Sequence, residues 1–220
     1  MAESSADVTH AYGYLTQPEV SFLDAAVARL IPADELGPGA KEADVAYFID
    51  RQLISVWGMH GRNYRMGPWR DGTAQQGFQS PLTPQEIYRA AIRETNIHCS
   101  KQYGKNFNLL TSKQQDEVLH ALEDGRIELD SVSAKLFFGL LLKNTVDGFF
   151  ADPMHGGNRD KIGWKLIGFP GVAASNYTKL MARQNVPYEV EPVSILDVLE
   201  NRVKVDAQGY PRHAMSQKKD

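Results

Sequence analysis

The residues that could carry out chemistry in this chain are six histidines, one cysteine and a glycine-rich segment, FFADPMHGGNRDKIGWKLIGFPG, at residues 149–171. Glycine-rich loops bind phosphate where a buried strand meets the N-terminus of a helix, because aligned backbone N–H groups point at the anion there. Here a helical pattern precedes the glycines, and neither GxGxxG nor GxxxxGK[ST] occurs. We therefore expect no nucleotide site in the 149–171 segment.

The histidines and carboxylates follow no known metal-binding or catalytic pattern. HExxH, CxxCH and GxSxG are all absent, so we expect no metal ligand, no attached c-type haem and no catalytic residue. An alternative stays open, a stand-alone ligand-binding protein or enzyme with a pocket under the loops at 58–80 and 149–171. The polar groups of that pocket would be Asp152, His155, Arg159 and Asp160.

The single cysteine, Cys99, cannot form a disulfide within the chain. Its ordinary interpretation is a small buried apolar residue on a helix. Two others stay open, a disulfide to another polypeptide in an oxidising compartment and a reactive nucleophile.

Composition excludes several classes of function. The net charge is −3 and the isoelectric point about 6.1, which gives no basic face for nucleic acid and no polybasic patch for a membrane surface. No apolar run approaches the roughly 18 residues that span a bilayer. The N-terminal sequence, MAESSADVTHAYGYL, shows no signal peptide pattern.

Apolar residues recur at helical spacing through most of the chain and predict the elements that would position these groups. Helices are expected from residue 16 to Pro32, at 41–57, 83–103, 111–124 and 132–149, with short ones at 173–184 and after Ser194. The predicted fold class is all-α: a single irregular helical domain of about six helices at residues 16–205, with two long Gly/aromatic-rich loops. Residues 1–15 and 206–220 are predicted to be flexible termini.

The two long connections carry arginine and large aromatic residues, the types that anchor protein interfaces. In and beside the 58–80 loop the predicted partner contacts are Trp57, Tyr64, Trp69, Arg70 and Phe78. In the 149–171 segment they are Asp152, Pro153, Gly156, Gly157, Asn158, Trp164, Phe169 and Pro170. The same composition also fits an arm that packs on its own domain or a ligand site, so a partner surface is one of three open interpretations.

The 149–171 segment resembles the hallmark of the small subunit, called subunit 3 or gamma, of the gluconate 2-dehydrogenase family. In that family an aromatic-rich helix end runs into ADP-x-x-GGN-x-D and then GW-K-x-x-GFPG. The matching residues here are Ala151, Asp152, Pro153, Gly156, Gly157, Asn158, Asp160, Gly163, Trp164, Lys165, Gly168, Phe169, Pro170 and Gly171. The TQPE start and the LIP at residues 30–32 also fit, and the resemblance covers about residues 15–177.

The resemblance implies a non-catalytic small subunit that supports the folding, stability and export of a large FAD-containing subunit. That large subunit would oxidise a sugar acid or polyol, and a membrane-associated cytochrome c subunit carrying haem c would pass the electrons toward quinone. No cofactor is implied for this chain, and its expected location is the periplasm. Many such subunits carry a twin-arginine signal, which this sequence does not show. Cys99 would then be a candidate for an intersubunit disulfide with the large subunit, and a self-assembling homologue is a further possibility.

Overall fold

The computed structural model describes residues 10–61, 66–70, 72–76, 79–172 and 190–204. These ranges contain seven α-helices and no sheet, which confirms the predicted all-α class. The helices are α1 (Gln17–Leu30), α2 (Val45–Leu53), α3 (Pro84–Tyr103), α4 (Ser112–Asp124), α5 (Ala134–Phe150), α6 (Ile162–Ile167) and α7 (Ile195–Leu199). The predicted helix at 173–184 and the predicted tail at 206–220 lie outside the described residues, as do Tyr64 and Phe78.

Three helices begin at the capping boxes that the sequence predicts. In each box a hydroxyl oxygen accepts the N–H of the third helical residue, and that residue's side chain accepts the N–H of the cap. The pairs are Thr83 with Glu86, Thr111 with Gln114, and Ser194 with Asp197. Glycines in the left-handed conformation end α3 and α4, at Gly104 and Gly125.

Helix α2 is shorter than the predicted range of 41–57. Asp44 has a φ of 57°, which breaks the helical path before Val45. After Leu53 the chain turns back on itself, and Gly58 packs directly on the helix end. A Cβ atom at Gly58 would lie 1.8 Å from the carbonyl oxygen of Leu53, so only glycine permits this turn.

The chain divides into two compact units. Unit 1 comprises residues 1–26 and 49–141, and unit 2 comprises residues 27–48 and 142–220. The divisions fall inside α1, α2 and α5, so each of these helices contributes residues to both units.

The core of unit 1 is built around an aromatic cluster. The Phe22 ring lies 4.6 Å from that of Phe107 and 6.4 Å from that of Phe137, centroid to centroid. Tyr88 meets Phe137 edge to face at 5.6 Å. All four residues are fully buried, and such pairs add about 0.5–1.5 kcal/mol each to the free energy gained from burial.

The chain before α1 is fixed by a buried carboxylate. Asp50 accepts hydrogen bonds from the backbone N–H groups of Gly13, Tyr14 and Leu15, at 2.7–2.9 Å. Arg89 donates to the Tyr14 carbonyl and lies over its ring, 4.1 Å from the centroid. Residues 13–15, which fall within the predicted flexible terminus at 1–15, are thus hydrogen-bonded to Asp50, because a buried carboxylate must find donors and these three amides supply them.

The core of unit 2 lies around the end of α5. Val45, Phe149, Trp164 and Val193 are buried there, and a Cβ atom at Gly148 would lie 2.7 Å from the ring of Phe48. No helix in the described ranges combines the length and the hydropathy needed to cross a membrane.

Candidate functional site

The 149–171 segment begins where α5 ends, and Asp152 organises its first turn. One carboxylate oxygen of Asp152 accepts the N–H of Met154 at 3.0 Å and so caps a 3₁₀ turn, Pro153–His155. The other oxygen accepts the N–H of Ile195 at 2.7 Å, at the start of α7. Both oxygens of Asp152 therefore bind the chain's own backbone and connect the segment to α7.

Asn158 joins the two halves of the segment. Its side chain is fully buried, donates to the carbonyl of Ala151 at 2.8 Å and accepts the N–H of Gly163 at 2.8 Å. The backbone of Asn158 is left-handed, with φ 48°, a conformation that asparagine adopts more readily than most residues. One buried amide thus ties the end of α5 to the start of α6.

Two glycines allow the segment to pack against the backbone of α5. A Cβ atom at Gly157 would lie 2.3 Å from the carbonyl oxygen of Gly148, and one at Gly163 would lie 2.1 Å from that of Phe149. Because the neighbours are backbone atoms, a side chain at either position would force the two chain segments apart. These glycines serve internal packing.

The turn between Asn158 and α6 is strained and is held by ion pairs. Asp160 and Lys161 are left-handed, with φ of 54° and 58°, at a cost of about 1–2 kcal/mol each. Arg159 donates its backbone N–H to the Ala43 carbonyl and lies 3.3 Å from the carboxylate of Asp44. Strain of this kind persists only where the surrounding contacts fix the backbone, as they do here.

Lys161 forms the second of these ion pairs, with Asp197 of α7. Its Nζ donates to an Asp197 carboxylate oxygen at 2.8 Å, and that carboxylate is nearly buried. Burial alone would raise the pKa of Asp197, but hydrogen bonds from Lys161 and Ser194 outweigh it and hold the pKa below its usual value. The carboxylate therefore stays ionised and keeps α7 joined to the segment.

Trp164 and Gly171 complete the framework. Trp164 is buried and donates its indole N–H to the carbonyl of Phe150 at 2.8 Å, and its ring meets that of Phe169 edge to face at 5.1 Å. Gly171 forms a parallel bridge with Val193, whose N–H donates to the Pro170 carbonyl at 3.0 Å. The end of the segment is thus attached to the chain just before α7.

The structure revises part of the predicted contact set in this segment. Three of the predicted contacts are buried within this chain: Gly157, Asn158 and Trp164. They stabilise the fold and are not at the surface of the free chain. Asp152, Pro153, Gly156 and Pro170 are half-buried, and Asp152 is occupied as described. Phe169 is 42% exposed and remains a predicted partner contact.

Sequence reasoning missed the apolar side chains that unit 2 does expose. Among the described residues they include Leu36, Leu142, Val146, Phe150, Met154, Leu166, Ile167, Ile195 and Leu199. Short helices such as α6 and α7 contain too few turns for a helical period to show which face is covered. It also missed Asp44 and Lys161, whose ion pairs join residues distant in sequence.

In and beside the described part of the 58–80 loop, the predicted contacts lie at or near the surface. Trp57 is half-buried, while Trp69 and Arg70 are exposed. Tyr64 and Phe78 lie outside the described residues. The contact role of this loop stays a prediction.

The polar groups of the predicted alternative pocket do not form a convergent set. Both oxygens of Asp152 bind backbone amides, and Arg159 pairs with Asp44. Asp160 is exposed and lies 3.7 Å from the Nε of Arg159, and His155 is exposed. Across the described ranges, no three residues among His, Cys, Asp and Glu are grouped as metal ligands.

An open cavity of about 520 Å³ lies elsewhere, on the outer side of α3 in unit 1. It is lined by Arg93, Asn96, Ile97, Ser100, Lys101 and Asn106. Asn96 accepts the N–H of Phe107, and Ser100 donates to Asn106, so most of its polar side chains already serve the fold. No histidine, cysteine or carboxylate is among these lining residues.

Cys99 is fully buried on α3, as the ordinary interpretation predicts. Burial raises the pKa of its thiol to about 11, so little thiolate forms at neutral pH. The geometry therefore contradicts both a reactive nucleophile and the predicted intersubunit disulfide, because a disulfide to another chain requires a sulfur atom at the surface.

Comparison with known protein families agrees with the resemblance that the 149–171 segment shows. The family model described as gluconate 2-dehydrogenase subunit 3 matches residues 17–171, which is more than half of the chain. Searches of curated proteins and of solved structures return no match. Because the match extends from α1 through the whole glycine- and tryptophan-rich segment, the chain belongs to the gluconate 2-dehydrogenase subunit 3 family.

Proposed function

We propose that this chain is the non-catalytic small subunit of a membrane-associated, FAD-dependent dehydrogenase of sugar acids or polyols. It binds the folded flavoprotein subunit in the periplasm, stabilises it and aids its export, and a cytochrome c subunit of the same complex receives the electrons. The family membership supports the role of a subunit.

One observation carries the proposal. Three polar side chains of the 149–171 segment are used within the chain: Asp152 binds amides, Asn158 binds Ala151 and Gly163, and Lys161 binds Asp197. Apolar side chains beside them, such as Phe169, remain exposed. A site of this kind favours a rigid binding surface over a catalytic one, which needs polar groups directed at a substrate.

The physical mechanism is a linked equilibrium. A protein that binds only the folded state of the flavoprotein stabilises that state by about 2.7 kcal/mol when its concentration is a hundredfold above Kd. A preformed surface loses little conformational entropy on binding, and the hydrogen bonds of Asn158 and Lys161 hold the turn between these residues before a partner binds.

The test is co-expression with the flavoprotein subunit, followed by purification through a tag on this chain. We expect the two chains to purify together, flavin colour only in the complex, and dehydrogenase activity that is higher with this chain than without it. Turnover of a sugar acid by this chain alone, or a failure of the two chains to associate, would overturn the proposal.

A further inference from the structure

The open cavity on α3 is lined by two asparagines whose acceptor atoms already serve the fold. Asn96 accepts the N–H of Phe107 at 3.0 Å through its Oδ1, and Asn106 accepts the hydroxyl proton of Ser100 at 3.2 Å through its Oδ1. An asparagine amide has one acceptor oxygen and an NH2 group that supplies two donors. Because each oxygen is engaged, each amide retains its NH2 group, which has no partner among the described residues.

Two cations add further donors to the same cavity. Arg93 donates from its Nη2 to Glu94 at 3.0 Å and keeps its other guanidinium N–H groups. Lys101 is exposed, and its side chain forms no ion pair or hydrogen bond within the described part of the chain. The carboxylate of Glu94 is buried and accepts from Ser131 as well as from Arg93, so it is not available to these cations in the cavity. The side-chain groups that remain free are therefore mainly donors, and their charge is positive.

The spacing of the lining residues holds them on one side of α3. They recur at intervals of three and four residues and so lie on neighbouring turns of one face: Arg93, Asn96, Ile97, Ser100 and Lys101. The helix runs for 20 residues between a capping box and a left-handed glycine. The segment after the helix is fixed to this face by the bonds of Asn96 and Ser100, so the donors are positioned before any ligand arrives.

Ile97 gives the cavity an apolar contact. Its side chain lines the cavity and is 46% exposed. Sites for small molecules combine apolar lining with a few placed polar groups, usually in about 300–1,000 Å³, and the volume of about 520 Å³ lies in that range. A ligand here meets donors and positive charge beside one apolar side chain.

We propose that this cavity binds a small organic anion, a carboxylate or phosphate group attached to a short apolar chain. The anionic oxygens accept from the NH2 groups of Asn96 and Asn106. They also lie near the positive charges of Arg93 and Lys101, and the apolar chain of the ligand covers Ile97. An ionised carboxylate only accepts hydrogen bonds, which matches a set of free donors, and bonds to a charged acceptor are stronger than neutral ones. The proposal concerns unit 1 alone and does not depend on the proposed function.

The experiment follows the side-chain NH2 signals of the isotope-labelled full chain by NMR at low ionic strength. The probes are butyrate, butyl phosphate and inorganic phosphate, and butylammonium is the control with the same chain and the opposite charge. We expect butyrate and butyl phosphate to give saturable shifts at Asn96 and Asn106 with a Kd of about 1 mM. Inorganic phosphate should bind more weakly, butylammonium should give no shift, and added sodium chloride should weaken the binding of each anion.

Variants at exposed positions separate the site from general attraction of anions. Lys101→Gln should weaken butyrate binding by about fivefold, and Lys101→Arg should retain it. The matched control is Lys105→Gln, which removes the same charge from an exposed residue that does not line the cavity and should leave the affinity unchanged. Ile97→Ser should weaken butyrate binding without changing that of inorganic phosphate. Thermal unfolding checks that each variant remains folded.

Three results would overturn the proposal. One is the absence of saturable shifts at Asn96 and Asn106 with all three anions, at concentrations up to tens of millimolar. Another is an equal loss of affinity in Lys101→Gln and Lys105→Gln, which would show attraction to the overall charge rather than a site. The third is tighter binding of butylammonium than of butyrate.

Discussion

Replacement of Asn158 by alanine should strongly destabilise the protein. The change removes both hydrogen bonds of a fully buried side chain, the one to the Ala151 carbonyl and the one from the Gly163 amide. It also places alanine in a left-handed conformation, with φ 48°.

The expected loss follows from these three effects. Each buried backbone group left without a partner costs about 1–3 kcal/mol, and the left-handed alanine adds about 1 kcal/mol. We expect a total of about 3–7 kcal/mol, which is a large part of the 5–15 kcal/mol that is typical of a whole domain.

Urea unfolding followed by tryptophan fluorescence measures this loss, because Trp164 lies in the same framework. Asn158→Gly separates the effects, since glycine removes the hydrogen bonds without the left-handed strain and should recover about 1 kcal/mol relative to alanine. Asn201→Ala is the matched control: Asn201 is also left-handed, with φ 55°, but it is exposed. If Asn158→Ala cost no more than Asn201→Ala, the assignment of Asn158 as the central tie of the segment would be refuted.

Three further outcomes are expected. Gly163→Ala should destabilise the protein by about 1–3 kcal/mol or more, because its Cβ would lie 2.1 Å from the carbonyl oxygen of Phe149. The control is Gly139→Ala, at an exposed position in α5 with open space, which should stabilise the protein by about 0.5–1 kcal/mol in the same urea assay. The lowered pKa of Asp197 should give stability that is complete above the pKa of an unfolded aspartate, about 3.9, and is lost as pH falls through the folded-state value. Urea midpoints from pH 6 to 2.5 should show that loss, and Asp197→Asn should reduce it; equal slopes for the two proteins would contradict the ion pair. Cys99 should not react with Ellman's reagent in the folded chain and should react in urea, and a mixed disulfide formed under native conditions would show that its burial is wrong.

The helical fold could be predicted because its signals are local. The capping boxes at Thr83, Thr111 and Ser194 each need only four consecutive residues, and the glycines after α3 and α4 act on the turn that they end. The end of α2 could not be predicted, because it depends on Gly58 packing against the Leu53 carbonyl rather than on hydrophobic period.

The residue types of the 149–171 segment distinguish it from the rest of the chain, but they predict only part of what each residue does. Asn158 and Trp164 are types found at interfaces and also types that satisfy buried backbone groups, and composition does not separate the two uses. The distinction depends on contacts to Ala151, Gly163 and Phe150, which only the three-dimensional arrangement supplies. The ion pair of the buried Asp197 likewise depends on Lys161, which lies 36 residues away from it in sequence.

The most direct test of the account is the melting temperature of the purified flavoprotein subunit, measured by flavin fluorescence while this chain is added in increasing amounts. The account predicts that the melting temperature rises with the concentration of this chain beyond the Kd, as binding to the folded state alone requires. A melting temperature that does not change at any concentration of the chain would contradict it.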